Sequence, residues 1–473
     1  MAKGDIFGLI LESNRLESVH IEMVSTFPSW QYYLYIIPVL GFMILIHEFG
    51  HYAVAKWLGV RVEVFSIGFG KRLFGFRRGE TDYRVAAIPL GGYVKMAGEN
   101  PLDERTDDPR EFLNHPRWHR FLIAVAGPAM NIVLAVVLLT TVYMVHYEYP
   151  VFMDKPVVIG GVKKGSAAEQ AGILPGDHVV KIEGIENPTW EQLQPRVFVS
   201  PNQSIAITIQ RGDQILSKTI VPKAVTSSRI GSAGWYPKSP VIIGQLEKDM
   251  PAIKAGLQKN DRVIAMDGNP VGSIEDMIER LQETKDRPVE LTVLRGNGTL
   301  SFHLQPVLSR TEDPREQRYR LGFLNQEQTK VTQLPFKQAL QLSLEENRKY
   351  SLLLLELMRK VAEGKISLRA FSGPIGIAQE TAFEAEQEGW TPLMGLTAAI
   401  SLNLGIFNLL PIPILDGGVI LFLLIEGLMR RDISLAIKER VYQAAFVFLV
   451  LFAVMVIYND LMKTIPGLVD RLP

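Results

Sequence analysis

The sequence predicts a polytopic α-helical membrane protein that carries two α/β domains outside the bilayer. Three observations lead there. Apolar residues are gathered into four runs, 32–58, 119–147, 390–429 and 441–462. Basic residues crowd the two short loops between these runs. A segment of the large connecting region occurs twice, at 155–226 and 239–310. The 473 residues are 47% hydrophobic and 21% charged, so the average conceals strong segregation. Net charge is zero and no basic block is large, which argues against a nucleic-acid partner. The chain has no cysteine, so disulfides and thiolate metal sites are excluded. Any bound metal must rely on His, Asp or Glu.

The tail 1–31 is polar or mixed and has no evident role. The first apolar run ends in "ILIHEFGHYAVAK", Ile44 to Lys56, with no small-residue cleavage site after it. It reads as an uncleaved anchor. Each of the four runs is apolar enough to cross about 30 Å of hydrocarbon. The loop 59–118 carries Arg61, Lys71, Arg72, Arg77, Arg78, Arg84 and Lys95, and the loop after 429 carries Arg430, Arg431, Lys438 and Arg440. By the positive-inside rule both loops are cytoplasmic. Both termini and the region between the second and third runs then lie outside, in the periplasm of a Gram-negative cell. Within the loop, "FSIGFGKRL" and "YRVAAIPLGGYVKM" alternate like strands and contain glycine breaks.

The duplication holds an offset of 84 residues without a gap. Gly160 matches Gly244, Ala171 matches Ala255, Asp177 matches Asp261, and Arg211-Gly212 matches Arg295-Gly296. Each unit reads as short strands, an Ala-rich helix ending at glycine, and an Asp turn before another strand. The units resemble tandem PDZ domains. That resemblance implies an exposed strand edge where an extended peptide can add, around Ile159, Gly160 and Gly161 in one unit and Ile243 and Gly244 in the other. A size filter and a plain spacer are the alternatives. Segment 334–364 is amphipathic with an apolar core too short to span, and predicts a helix on the membrane face or against the repeats.

The chemistry starts from His47-Glu48-Phe49-Gly50-His51, an H-E-x-x-H pattern. On a helix, positions i and i+4 lie one turn and about 40° apart, so both imidazoles can reach one metal. The glutamate between them can take a proton from the attacking water. Ionisable groups inside a span are costly and mark function. A catalytic zinc needs a third protein ligand. Asp416 is the only acid of the third apolar run before Glu426, and it falls in the same cytoplasmic half of the bilayer as His51. Glu426 is the weaker candidate, since it lies nearer the basic loop and can pair there. Pro411, Pro413, Gly417 and Gly418 should break the helix beside Asp416.

"HEFGH", "NLLPIPILDGG" and the PDZ-like repeats together resemble the site-2 protease family of intramembrane zinc proteases, over nearly the whole chain from Tyr32. The resemblance implies Zn2+ held by His47, His51 and Asp416, with Glu48 as catalytic base. The family pattern N-x-x-P-x-x-x-x-D-G falls on Asn408, Pro411, Asp416 and Gly417. It implies that Asn408 and Asn403 contact substrate backbone or the developing oxyanion, with interhelical hydrogen bonding as the alternative. It also implies that the β-rich loop, including Gly68 and Gly70, dips into the bilayer and offers a strand edge to an unwound substrate, with a plain cytoplasmic hairpin as the alternative. "AGPAMN", Ala126 to Asn131, has small residues for close helix packing, and Asn131 is placed to face the same cavity. Where relatives carry His after D-G-G, this chain has Val419. The implied substrates are single-span membrane proteins, a trimmed anti-sigma factor and remnant signal peptides. A membrane scaffold with a degenerate site and a metal transporter fit less well. The motif is intact, and the polar residues cluster near one level instead of lining a path.

Overall fold

The computed structural model describes residues 31–99, 108–225, 230–310, 317–326, 328–367, 373–386 and 390–464. The N-terminal tail up to residue 30 lies outside the described residues. The chain divides into two compact units. Of the described residues, one comprises 31–146, 333–351 and 373–464, and the other those within 147–332 and 352–367.

The helical unit opens with α1 (Gln31–Trp57), followed by the strands β1 (Val62–Arg78) and β2 (Thr81–Met96), then α2 (Arg117–Val145). Helix α2 touches α1 on one side and α9 (Thr391–Asn408) and α10 (Asp416–Met429) on the other. A glycine allows close approach on each of α1 and α9. A Cβ on Gly50 of α1 would run into the Ala126 carbonyl of α2, and Gly405 of α9 lies against the Pro128 carbonyl. Without side chains at these points, backbones approach closely and dispersion replaces the hydrophobic drive that is missing between helices in lipid. The Ser401 hydroxyl donates to the Asn131 carbonyl at 2.9 Å, adding a polar tie.

Strands β1 and β2 each turn back on themselves. Phe65 pairs with both Val94 and Tyr83, and Ser66 with both Tyr93 and Arg84. Residues 62–67 therefore run between two segments of β2, while 72–78 pairs with 81–86. The result is a four-segment sheet whose outer segments are 72–78 and 92–96. Gly68 (φ +90°) and Gly70 (φ +85°) make the turn within β1. The sheet packs on α1 through a core that includes Ala55, Val60, Val62, Val94 and Met96.

The third apolar run is a broken helix. Helix α9 ends at Asn408 and α10 starts at Asp416. Pro411 and Pro413 lack the amide needed to continue α9, and Ile414 is held at φ +88°, a conformation that β-branched residues avoid. Among the described residues, three helices are long and apolar enough to cross a membrane: 36–57 within α1, all of α2, and 435–458 within α11 (Leu435–Thr464). The broken pair is not among them. Helix α7 (Phe336–Ala362) fills the expected amphipathic segment. Its Ser343 hydroxyl donates to the Val136 carbonyl of α2 at 2.9 Å, so its first part packs on that helix.

In the other unit the two repeats have separate cores, one around Ile159, Ile182, Leu193 and Ile209, the other around Ile243, Met277, Leu291 and Val293. Their strand registers coincide at the offset of 84. β5 (His178–Ile182) pairs Val179 with Ile209 of β7 (Ile205–Arg211), and β13 (Arg262–Met266) pairs Val263 with Val293 of β15 (Val289–Arg295). Arg211 grips Asp177 through its Nε at 2.7 Å and its terminal nitrogen at 2.8 Å. Arg295 and Asp261 repeat the pair at 2.7 Å for both bonds. Each guanidinium also donates to the carbonyl of the glycine that ends the small helix, Gly172 or Gly256.

Each repeat contains a further strand that the sequence boundaries omit. β11 (Trp235–Pro237) pairs with β4 (Ile159–Val162), and β19 (Phe323–Asn325) pairs with β12 (Val241–Leu246). On the far side, the Ile159 amide donates to the Asp177 carbonyl at 2.9 Å, and the Ile243 amide to the Asp261 carbonyl at 2.9 Å. The strands bearing Ile159, Gly160, Gly161, Ile243 and Gly244 thus pair with β11 or β19 on one side, and Ile159 and Ile243 are also bonded on the other. The edge strands are β11 and β19. Their shared Gly-aromatic step, Gly234-Trp235 and Gly322-Phe323, recurs at an offset of 88, four residues beyond the ungapped register.

Burial pushes the Asp261 carboxyl up, but the Arg295 guanidinium and the Gln258 amide outweigh it and hold the group below the usual carboxylate range. Its stabilising contribution is complete above about pH 4 and is lost as pH falls through the lowered value. Replacing Arg295 by Met leaves a buried carboxylate unpaired. The second repeat should lose stability, by less than a fully enclosed pair would cost because Arg295 is partly exposed. Hydrogen exchange on the full chain should show that loss in β13 and β15 and none in β5 and β7.

Candidate active site

His47 and His51 lie one turn apart on α1, at the level where α2 approaches it. His51 Nδ1–H donates to the Ile123 carbonyl of α2 at 2.7 Å, which leaves its Nε2 as a lone-pair donor. The His47 and His51 Nε2 atoms are 3.2 Å apart. Asp416 reaches both rings, with Oδ2 at 3.2 Å from His47 Nε2 and Oδ1 at 3.5 Å from His51 Nε2. The two imidazoles are buried. Zinc with bonds of about 2.0–2.1 Å in tetrahedral geometry holds its ligand atoms about 3.4 Å apart. The two nitrogens lie close to that spacing, one ligand atom from each of the three residues lies within 4.8 Å of the others, and the donors are the neutral imidazole and carboxylate types that zinc accepts. The three residues fit the ion as they stand.

Asp416 is placed by the break in the third run. It occupies the first turn of α10, where unpaired backbone amides favour a carboxylate. Gly417 and Gly418 press against the carbonyls of Leu409, Leu410 and Ile412, positions where a Cβ has no room. These contacts fold the start of α10 onto the irregular segment and aim Asp416 at α1. Gly127 of α2 serves the other wall. A Cβ there would overlap the His51 ring and come within 2.8 Å of His47 Nε2.

Glu48 is half-buried beside the sheet. Its Oε2 accepts a hydrogen bond from the Val94 amide at 3.0 Å, and Gly92 lies against its Cγ. The strand edge next to the site is therefore 92–96. Gly68 and Gly70 lie at the turn of β1, where Gly68 approaches the Ile88 carbonyl and Gly70 the Ile88 side chain. Their positive φ angles shape the turn of the sheet.

The two asparagines are not drawn into the metal-ligand group. Asn403 donates to the Tyr350 hydroxyl of α7 at 3.3 Å, and Asn408 is the last residue of α9. Glu426 is resolved as a structural group. It is fully buried, with Lys438 Nζ at 2.6 Å and the Ile433 amide donating to it at 3.2 Å. It joins α10 to the basic loop, and Asp416 alone completes the ligand set. Sequence reading missed Val94, Gly92 and the cradle role of Gly127. The "AGPAMN" run signalled close packing, but not what would be packed there.

An H-E-x-x-H helix joined by a distant aspartate at zinc spacing, with an acid free to act as base, defines a metallopeptidase. The model for peptidase family M50 matches residues 35–452, and the chain belongs to that family of zinc metalloproteases. It is 33% identical to the regulator of sigma-E protease RseP of Salmonella typhimurium, covering 91% of this chain and 98% of that protein. The RseP of Escherichia coli is 33% identical over 90% of this chain and 97% of its own. A Vibrio cholerae protein named as a zinc metalloprotease is 32% identical over 91% and 98%.

Alanine at Gly127 should displace both imidazoles. Helix propensity favours the substitution, so any loss comes from the site. Overpacking of about 1–3 kcal/mol predicts zinc affinity about 10–100-fold weaker, read by chelator competition, with a parallel drop in peptide-bond cleavage.

Proposed function

We propose that the protein cleaves transmembrane segments of single-span membrane proteins within the bilayer. The observation that carries this reading is the site's place on membrane-crossing helices. His47, Glu48 and His51 sit inside one such helix, and Gly127 of a second closes over them. Such a site suits a substrate that is itself embedded. His47, His51 and Asp416 would hold the zinc, which would supply a Lewis acid for the scissile carbonyl and the attacking water. Glu48 takes the water proton and passes it to the leaving nitrogen.

A peptide bond in a helix is shielded, so the substrate must unwind and find new backbone partners. The 92–96 edge beside Glu48 supplies them by strand addition. Asn408, at the break before Asp416, is the better placed of the two asparagines to meet substrate backbone. Asn403 donates to the Tyr350 hydroxyl and ties α9 to α7. We read α9 and α10 together as a fourth crossing of a bacterial inner membrane, with both basic loops cytoplasmic and both termini periplasmic. The repeats, read as periplasmic PDZ domains, then screen substrates by bulk or take new C-termini along the outer edges of β11 and β19. The relatives named as regulators of sigma-E protease support a place in envelope-stress signalling, with a trimmed anti-sigma factor as substrate and remnant signal peptides as a second class.

Glu48→Gln keeps the size and the Val94 contact but removes the base. With a single-span reporter, cleavage should fall by about 10²–10⁴-fold while bound zinc stays near one ion per chain. Undiminished cleavage would overturn the mechanism.

A further inference from the structure

Asn131 of α2 is fully buried, and nothing in the chemistry above uses its side chain. Its carboxamide meets the metal-ligand pair from behind, with Nδ2 3.1 Å from His47 Nδ1. Its Oδ1 has no hydrogen-bond partner. A buried amide oxygen without a donor costs about 1–3 kcal/mol.

The two orientations of a carboxamide have the same shape, and the hydrogen-bond network decides between them. With Nδ2 toward the ring, His47 Nδ1 must accept, and the ring proton must sit on Nε2. That proton would point among His51 Nε2 and Asp416 Oδ2, the atoms 3.2 Å away that form the metal site. A histidine that ligates through Nε2 needs its lone pair there and its proton on Nδ1. The group facing Nδ1 must then be an acceptor. Turning the amide by half a revolution supplies Oδ1 at that place and relieves the oxygen that now faces no donor.

We propose that Asn131 is the positioning residue for His47, its Oδ1 accepting from Nδ1–H and so fixing the tautomer that offers Nε2 to zinc. The inference rests on the metal-centre reading given above. It makes the two rings equivalent in support. His51 is oriented by the Ile123 carbonyl, His47 by Asn131, and both acceptors belong to α2. The second helix thus sets both imidazoles before the aspartate arrives from α10. The Ser401 hydroxyl bond to the Asn131 carbonyl fixes the backbone from which the side chain projects.

The test uses the purified full chain in detergent and Zn2+ alone, with affinity measured by chelator competition. Asn131→Leu keeps the bulk and removes the acceptor, so zinc should bind about 10–100-fold more weakly. Asn131→Asp restores an oxygen at the same place and should bind within about threefold of the native protein. Equal affinity of the Leu variant, or an Asp variant as weak as Leu, overturns the proposal. Should Leu prevent folding, nitrogen NMR of histidine-labelled, zinc-loaded native protein decides. His47 should carry its proton on Nδ1, and a bare Nδ1 overturns the assignment. A native chain that takes up no zinc would overturn the metal-centre reading itself, which separates the two failures.

Discussion

The helical unit depends on holding three polar donors within about one bond-pair distance of each other where water is scarce. Unpaired, two imidazoles and a carboxylate at membrane depth would each cost several kcal/mol. Gathered, they satisfy one another through a shared ion. Such gathering requires backbones to approach more closely than ordinary side chains permit. Gly50 and Gly127 supply the approach of α1 to α2, and Gly405 that of α9 to α2. Helix α2 contributes no ligand, yet its carbonyls and its missing side chains determine where the ligands stand.

The aspartate comes from a less regular source. A straight helix through 409–415 would carry Asp416 onward along its axis. Two prolines stop α9, Ile414 takes a strained left-handed conformation, and α10 restarts with Asp416 in its first turn. The strain at Ile414 is held by the packing of Gly417 and Gly418 on the preceding carbonyls. Stored strain beside a catalytic group is a recurrent arrangement, because the fold must over-determine a conformation that the chain avoids.

Much of this was legible from residues alone, and the limits are physical. The H-E-x-x-H spacing identifies both imidazoles, since the helical period is fixed. The Pro and Gly residues around Asp416 announce a break, since each removes something a helix needs. Glu426 could be weighed against Asp416 but not dismissed, because its partner Lys438 declares itself only when the loop after α10 folds back. The sheet was harder. Alternation in β1 and β2 indicates strands, but the residues near Gly68 and Gly70 gave no indication that each strand doubles back. The edge beside Glu48 is consequently 92–96, one segment away from those glycines. Gly127 was noticed only as a small residue, since a sequence does not say which ring will occupy the space a glycine leaves.

The repeats carry a different lesson about internal comparison. Residues that match across the offset of 84 report what one copy needs to fold: Asp177 with Arg211, Asp261 with Arg295, each pair tying a turn to a strand and a helix end. Residues that do not match report what one copy does to the other. Gly161 faces Gln245 in the alignment, and in the structure Gly161 lies beneath Asp276 of the second repeat. Gly272 falls opposite Pro188, and Gly272 abuts the Gly160 backbone. Lys163 pairs with Glu279 at 2.6 Å across the same seam. The PDZ resemblance implies a ligand edge at the "IGGV" stretch of the first repeat. The space beside Gly160 and Gly161 is taken by Gly272 and Asp276 of the neighbouring repeat, so these glycines are explained by the contact between the copies.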